Sequence, residues 1–307
     1  MKVGISLPQL GLQVSRENLI RMSTRAEQLG YDSAWVLERL LWPVSPQEPY
    51  PVSPDGSLPE TYQNVLDPIE TLTFVSAHTT RLRVGTSVLV LPFHTPIQLA
   101  RRIATLDVLS GGRAEVGVGV GWSRDEFEAA GTPFARRGAR SDEFLRVMID
   151  IWTNDPVAFQ GEFYKIPESK VGPKPVQKPH PPIYIGGSGE NTLKRAARFG
   201  SGWNPAGPSS FEDLEAGIKS LNEIARAEGR GPMEVVLRLF TVVFDQPAPA
   251  QRGPGRGSLA EIREDLQRLR EMGVTHIIHS PPEIGFSASA SIDLALTRME
   301  QLIEISR

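Results

Sequence analysis

Three glycines fall within four residues at Gly186, Gly187 and Gly189, with Ser188 between them. They follow the apolar run Pro182-Ile183-Tyr184-Ile185 and precede Glu190-Asn191-Thr192. This order reads as a buried strand, a tight turn and the start of a helix that continues through Leu193, Ala196, Ala197 and Phe199. Glycine lets a backbone approach a bound group where a side chain would block it. A helix beginning directly after such a turn aims unpaired N–H groups and the positive end of its dipole at one point. The combination is an anion cradle, and phosphate is its usual guest. The segment also reads as an ordinary β-to-α turn that binds nothing.

Other residues able to do chemistry stand at the ends of apolar runs. Glu38-Arg39 follows residues 33–37 directly. Arginine cannot donate a proton near neutral pH, but it can stabilise developing negative charge or bind an acidic group. The two residues also read as a surface ion pair. Trp122 closes a run with glycines at alternate positions, either against a ligand or as a core aromatic. Glu126, four residues on, is an acid for the same site or a solvent-facing helix residue. His94 follows Pro92-Phe93 and is placed to reach a pocket. Trp42, Tyr50, Phe93, Trp122 and Trp203 supply an aromatic-lined pocket on composition. His276 and His279 lie three apart on one strand, so they face opposite sides and cannot share a metal. Cysteine is absent and no His/Asp/Glu cluster appears, so no metal site is expected. No Gly-x-Ser-x-Gly elbow is present for serine hydrolysis.

The elements that must position these residues alternate along all 307 residues. Apolar runs at 3–7, 33–37, 82–91, 113–120, 183–185, 201–204, 235–244 and 274–278 read as eight strands. Segments with helical spacing follow each: 16–29, 67–77, 96–109, 137–152, 191–199, 211–227, 259–272 and 292–305. Ser15 is a candidate N-cap and Gly30 a stop. The strands lack polar alternation, as expected when both faces are covered. A single domain over residues 1–307, closed as a (β/α)8 TIM barrel, is the natural architecture. An open dinucleotide-binding sheet would need its glycine fingerprint after the first strand, where Pro8-Gln9-Leu10-Gly11 stands instead.

Three connections are too long for simple turns, at residues 38–65, 154–181 and 245–257. The second contains a candidate hairpin at 157–164, and the third has a mobile composition. Barrel chemistry sits on such loops. The net charge of −3 leaves no nucleic-acid footprint, and no run approaches membrane-spanning length. The segment Met1–Pro8 lacks the apolar stretch of a signal peptide, so a cytoplasmic protein acting on a small molecule is expected.

Four segments occur together in order: Gly30-Tyr31-Asp32-Ser33-Ala34-Trp35-Val36, Leu82-Arg83-Val84-Gly85-Thr86-Ser87-Val88, Gly117-Val118-Gly119-Val120-Gly121-Trp122 and residues 183–189. On these the chain resembles the luciferase-like monooxygenase superfamily over nearly its whole length. It is most similar to the branch that uses the deazaflavin coenzyme F420. The resemblance implies an interrupted barrel, with the main insertion at 154–181, and a flavin-like ring at the carboxyl ends of the strands. It implies that the cofactor phosphate rests on Gly186, Gly187, Ser188 and Gly189. It also implies a non-proline cis peptide at Ser87–Val88 behind the ring, and a homodimer. Thr86-Ser87-Val88 otherwise reads as an inward barrel layer with no ligand role.

A deazaflavin exchanges hydride with its substrate, so the protein must hold ring and substrate together and manage a proton. Several relatives in this branch carry an Asp-His or Glu-His pair where this chain has Glu38-Arg39. Its sugar-phosphate dehydrogenases carry a glutamate where this chain has Trp122. The departure at Trp122 argues against the sugar-phosphate activity. Glu38, Arg39 and Trp122 are the expected catalytic residues. Ser87, Val88 and Gly186–Gly189 are expected at the cofactor, and Trp42, His94 and Trp203 at the substrate. Three functions follow: an F420-dependent oxidoreductase, an FMN-dependent monooxygenase fed by a separate reductase, and a non-redox barrel that binds a phosphorylated ligand.

Overall fold

The computed structural model describes residues 1–53, 55–246, 248, 252–285, 287 and 291–307. Its centre is a closed barrel of eight parallel strands: β1 (Lys2–Ser6), β2 (Ser33–Val36), β3 (Arg83–Val90), β4 (Ala114–Gly119), β5 (Ile183–Gly186), β6 (Gly202–Asn204), β7 (Glu234–Leu239) and β8 (His276–His279). Each pairs with its sequence neighbours, and β8 closes on β1 with His276 opposite Lys2. The surrounding helices are α1 (Arg16–Leu29), α2 (Pro68–Ala77), α3 (Pro96–Ser110), α4 (Arg124–Ala129), α5 (Arg137–Thr153), α6 (Glu190–Phe199), α7 (Phe211–Ala227), α8 (Leu259–Glu271) and α9 (Ile292–Ser306). The sequence-based stop and start signals hold at α1. The Ser15 hydroxyl accepts from the Asn18 amide at 3.0 Å, and Gly30 is left-handed with φ 83°.

Strand alternation divides the apolar residues into two cores. Ala34, Val36, Ile183, Ile185, Val235, Leu237 and Ile277 face the helices in the large outer core. Trp35, Tyr184, Val236 and Ile278 fill the barrel interior. The two histidines of β8 obey the same alternation. His276 lies edge-on to Trp35, whereas His279 contacts Thr241 and, on α9, Ser306. The interior is therefore plugged below, and a cavity can form only at the carboxyl-terminal mouth.

The glycines of β4 have a steric cause. Thr86 pairs with Val116 and Leu89 with Val118, so Ser87 and Val88 together oppose Gly117 alone. The Ser87–Val88 peptide is cis. A Cβ on Gly117 would stand 2.0 Å from the Thr86 carbonyl oxygen, and one on Gly119 would stand 3.0 Å from Val88 Cγ2. Only glycine lets β4 accept the bulge of β3.

The long connections also have defined roles. The described residues of 38–65 fold over the mouth, where Trp42, Tyr50 and Tyr62 pack with Leu10 and Leu37. In the second connection Val157–Gln160 pairs antiparallel with Lys165–Ser169. The Glu143 carboxylate accepts the amides of Glu162, Phe163 and Tyr164 at the hairpin turn. In the third, residues 247 and 249–251 lie outside the described residues. Its far end is anchored, because Arg252 pairs with Asp265 and Arg256–Gly257 pairs with Val242–Val243. The strand expected over 235–244 therefore ends at Leu239, where the chain leaves the barrel.

Candidate functional site

A cavity of about 480 Å³ opens at the mouth. Val88 forms one wall, with its methyl groups set between Gly119 and Gly186. A Cβ on Gly186 would meet Val88 Cγ1 at 2.6 Å. The glycines of two separate sequence motifs thus form one slot around a single side chain.

Below this wall runs a buried polar network. The Ser87 hydroxyl donates to Asn204 Oδ1 at 2.8 Å, and Asn204 Nδ2 donates to the Val236 carbonyl. Arg238 Nη1 donates to the Ser87 carbonyl at 3.0 Å, and its Nε donates to the Ser280 hydroxyl at 3.1 Å. Burial pushes the Arg238 guanidinium below its usual pKa, with Tyr62 and Tyr50 opposing that effect. Arginine remains charged even so. Arg238 was not singled out from the sequence. The signal was its position two residues beyond Val236, on the same inward face of β7 and one layer nearer the mouth.

The opposite side holds Glu38 and Arg39, which do not pair with each other. Glu38 is 7% exposed. Its carboxylate accepts the Val90 amide at 2.6 Å and contacts His94 Nε2 at 2.8 Å. Arg39 turns the other way. Its Nη1 lies 3.1 Å from Glu126 Oε2, and its guanidinium sits 5.1 Å from the Trp122 ring centre and 5.6 Å from that of Tyr62. Glu126 is buried, not solvent-facing, and its Oε1 accepts the Leu40 amide at 2.7 Å. Burial raises its carboxyl above the ordinary range, against the opposing pull of Arg39. Tyr50 stands 5.5 Å from Trp122, and its hydroxyl meets that of Tyr62 at 3.2 Å.

At the other edge of the cavity lies the glycine turn. Gly187 and Gly189 have φ of 111° and 83°, where an L side chain is strained. The Gly187 carbonyl accepts from Trp203 Nε1 at 2.8 Å, and that of Ser188 accepts from the Thr192 hydroxyl at 2.9 Å. The Gly189 carbonyl accepts the Thr192 and Leu193 amides. In a trans peptide the N–H points opposite to its own carbonyl. The peptide units of the Gly187, Ser188 and Gly189 carbonyls carry the N–H groups of Ser188, Gly189 and Glu190, which therefore point away from those carbonyls' partners. Arg137 borders the same edge while donating to the Gly121 carbonyl at 3.1 Å. Beyond Ser188 a second cavity of about 580 Å³ continues between the starts of α5 and α6. Arg136, Arg137, Lys194, Arg195 and Arg198 line it, with Asp142 as the carboxylate.

Glu38, Arg39, Trp122, Ser87, Val88, Gly186, Gly187 and Ser188 all line the mouth cavity, with Gly189 next to it. The three residues expected at the substrate stand elsewhere. Trp42 packs against Leu58 in the cover, where its Nε1 reaches the Leu58 carbonyl at 3.4 Å. His94 turns back to Glu38 and borders a groove between α2 and α3. Trp203 is buried behind the glycine turn. Chain position near a strand end did not decide which way these rings point. Among the described residues no group of His, Cys, Asp and Glu could hold a metal, and no helix is long and apolar enough to cross a membrane.

The family profile described as luciferase-like monooxygenase matches residues 1–283. The chain belongs to the luciferase-like monooxygenase family. An uncharacterised protein of Mycobacterium tuberculosis is 36% identical over 260 residues, covering 84% of this chain and 85% of that one. An FMNH(2)-dependent dimethylsulfone monooxygenase of Pseudomonas putida is 35% identical over 189 residues, covering 61% of this chain and 50% of that one. Among solved structures, an F420-dependent secondary alcohol dehydrogenase in complex with an F420–acetone adduct matches with a TM-score of 0.79. Its sequence identity is 18%, and the match covers 100% of this chain and 99% of that one. Members of the luciferase-like monooxygenase family are thus oxidoreductases or monooxygenases, with relatives on both flavin and deazaflavin cofactors.

Proposed function

We propose that this protein is an F420-dependent oxidoreductase that transfers a hydride between the deazaflavin and a small organic substrate. The observation that carries the choice of F420 over FMN is the cationic trough beyond the glycine turn. FMN ends at its phosphate, whereas F420 continues past its phosphodiester into a chain bearing several carboxylates. Five cationic side chains line the trough beside one carboxylate, and the N-termini of α5 and α6 add their dipoles. Arg136, Lys194, Arg195 and Arg198 already have carboxylate partners in Glu162, Glu190, Asp142 and Glu228. The exposed pairs among them are weak and exchange readily for a ligand carboxylate.

The residues present fit such a cofactor. The Val88 wall, framed by Gly119 and Gly186, suits a flat ring. The amides of Ser188, Gly189 and Glu190 suit its phosphate. When bound, the deazaflavin supplies a carbon that gives or takes hydride. Arg39 and Arg238 hold positive charge at the mouth against developing negative charge. Glu126 and the Tyr50–Tyr62 hydroxyl pair are the proton-holding groups of the cavity. Tyr50, Pro51 and Tyr62 of the cover line the cavity beside the reacting faces.

Equilibrium titration with F420 and with FMN, followed by cofactor fluorescence, tests the proposal. F420 is expected to bind at least tenfold more tightly, and a Lys194→Glu/Arg198→Glu variant is expected to narrow that ratio without changing FMN affinity. Equal or tighter binding of FMN would refute it and favour the flavin monooxygenase reading.

A further inference from the structure

We infer that the substrate of this site carries a carboxylate, and that Arg39 is the residue that recognises it. The Arg39 side chain is 7% exposed, yet its Nε and Nη2 atoms are buried without a hydrogen-bond partner. Nη1 alone is engaged, by Glu126. Nε and Nη2 occupy one edge of the guanidinium, and their N–H bonds there run parallel. That edge is the fork that matches the two oxygens of a carboxylate. The plane is held by Trp122 on one ring contact and Tyr62 on another, and Glu126 is fixed in turn by the Leu40 amide. Leaving buried charged donors unsatisfied is costly, and Arg39 is among the residues that line a cavity large enough for a small molecule.

The charge of the lining favours an anion over a neutral carbonyl. Glu38, the other carboxylate there, has both oxygens committed to Val90 and His94. Glu126 divides its two oxygens between Arg39 and Leu40. A second buried guanidinium, Arg238, lines the same cavity. The aromatic faces of Tyr50 and Trp122 beside the fork suit a carboxylate on an apolar or aromatic body. That the ligand is a substrate rests on the oxidoreductase proposal, but the recognition of a carboxylate does not.

Isothermal titration with benzoate and its neutral isostere benzamide tests the inference, on the cofactor-free protein and again after saturation with F420. Benzoate is expected to bind at least tenfold more tightly than benzamide in both states. Arg39→Met should bring the two ligands within twofold of each other. Arg39→Lys keeps the charge and loses the fork, and should lose most of the preference; it provides the answer if the methionine variant does not fold. Equal binding of the two ligands, no benzoate binding, or a preference that survives in both variants overturns the inference. Displacement of benzoate by F420 also overturns it, because the fork then belongs to the cofactor ring. If F420 fails to bind while the benzoate preference holds, the cofactor proposal falls and this inference stands.

Discussion

Replacing Gly186 with alanine tests whether the slot around Val88 is the organising contact of the mouth. Gly186 is not left-handed, so alanine is allowed by the backbone and the outcome depends on space. The added Cβ would stand 2.6 Å from Val88 Cγ1 and 3.4 Å from Val88 Cγ2, against an optimum of roughly 3.5–4.0 Å between carbon atoms. Overpacking of this kind costs about 1–3 kcal/mol. Val88→Ala removes both methyl groups from a half-buried position and should cost about 1 kcal/mol. In the double variant the new Cβ no longer meets a Cγ, so the pair should cost about as much as Val88→Ala alone. The coupling energy is then about 1–3 kcal/mol, well outside the roughly 0.5 kcal/mol expected of independent sites. Urea denaturation of the four proteins, followed by far-ultraviolet circular dichroism, measures it. Additive losses would show that Gly186 and Val88 do not share the slot, and the fitted wall would lose its basis.

Two further outcomes follow from particular contacts. Trp203→Phe leaves the Gly187 carbonyl without its donor; a loss of about 1 kcal/mol in stability should accompany a severalfold loss of F420 affinity, and unchanged affinity would show that Trp203 does not set the turn. Burial lowers His276 and His279 to a pKa of about 3, so the stability that each confers is complete well above pH 6.5 and is lost as pH falls through 6.5 toward 3. Between pH 6.5 and pH 5 that loss is about 1.6 kcal/mol per histidine. His279→Gln should lower stability at pH 7 but flatten its decline toward pH 5 by about that amount. Urea midpoints across the range measure this, and an unaltered slope would refute the assignment.

Local chemistry made much of the fold legible. The eight apolar runs, the Ser15 cap and the Gly30 stop each act within one turn or one strand, so spacing alone reveals them. The same holds for the glycine turn at residues 186–189, where glycine permits the positive φ of Gly187 and Gly189. The alternate glycines of β4 were visible too, but their reason was not. The bulge that needs them lies on β3, and Thr86 meets Gly117 only across the ladder.

What only the tertiary structure decided is which side chains face one another at the mouth. Glu38 and Arg39 are chain neighbours, and neighbours at the end of an extended strand point to opposite sides. One turned to His94 and the other to Glu126, partners 56 and 87 positions away in the chain. Arg238 reached the same cavity from a strand formed some two hundred residues later, through a closure that no local pattern records. Trp203 was legible as an aromatic at a strand end, but its ring turned behind the glycine turn because Gly217 on α7 leaves room there for the indole. Strand and turn identity are properties of a few consecutive residues. The direction of a side chain at a barrel mouth is set by whatever distant element fills the space beside it.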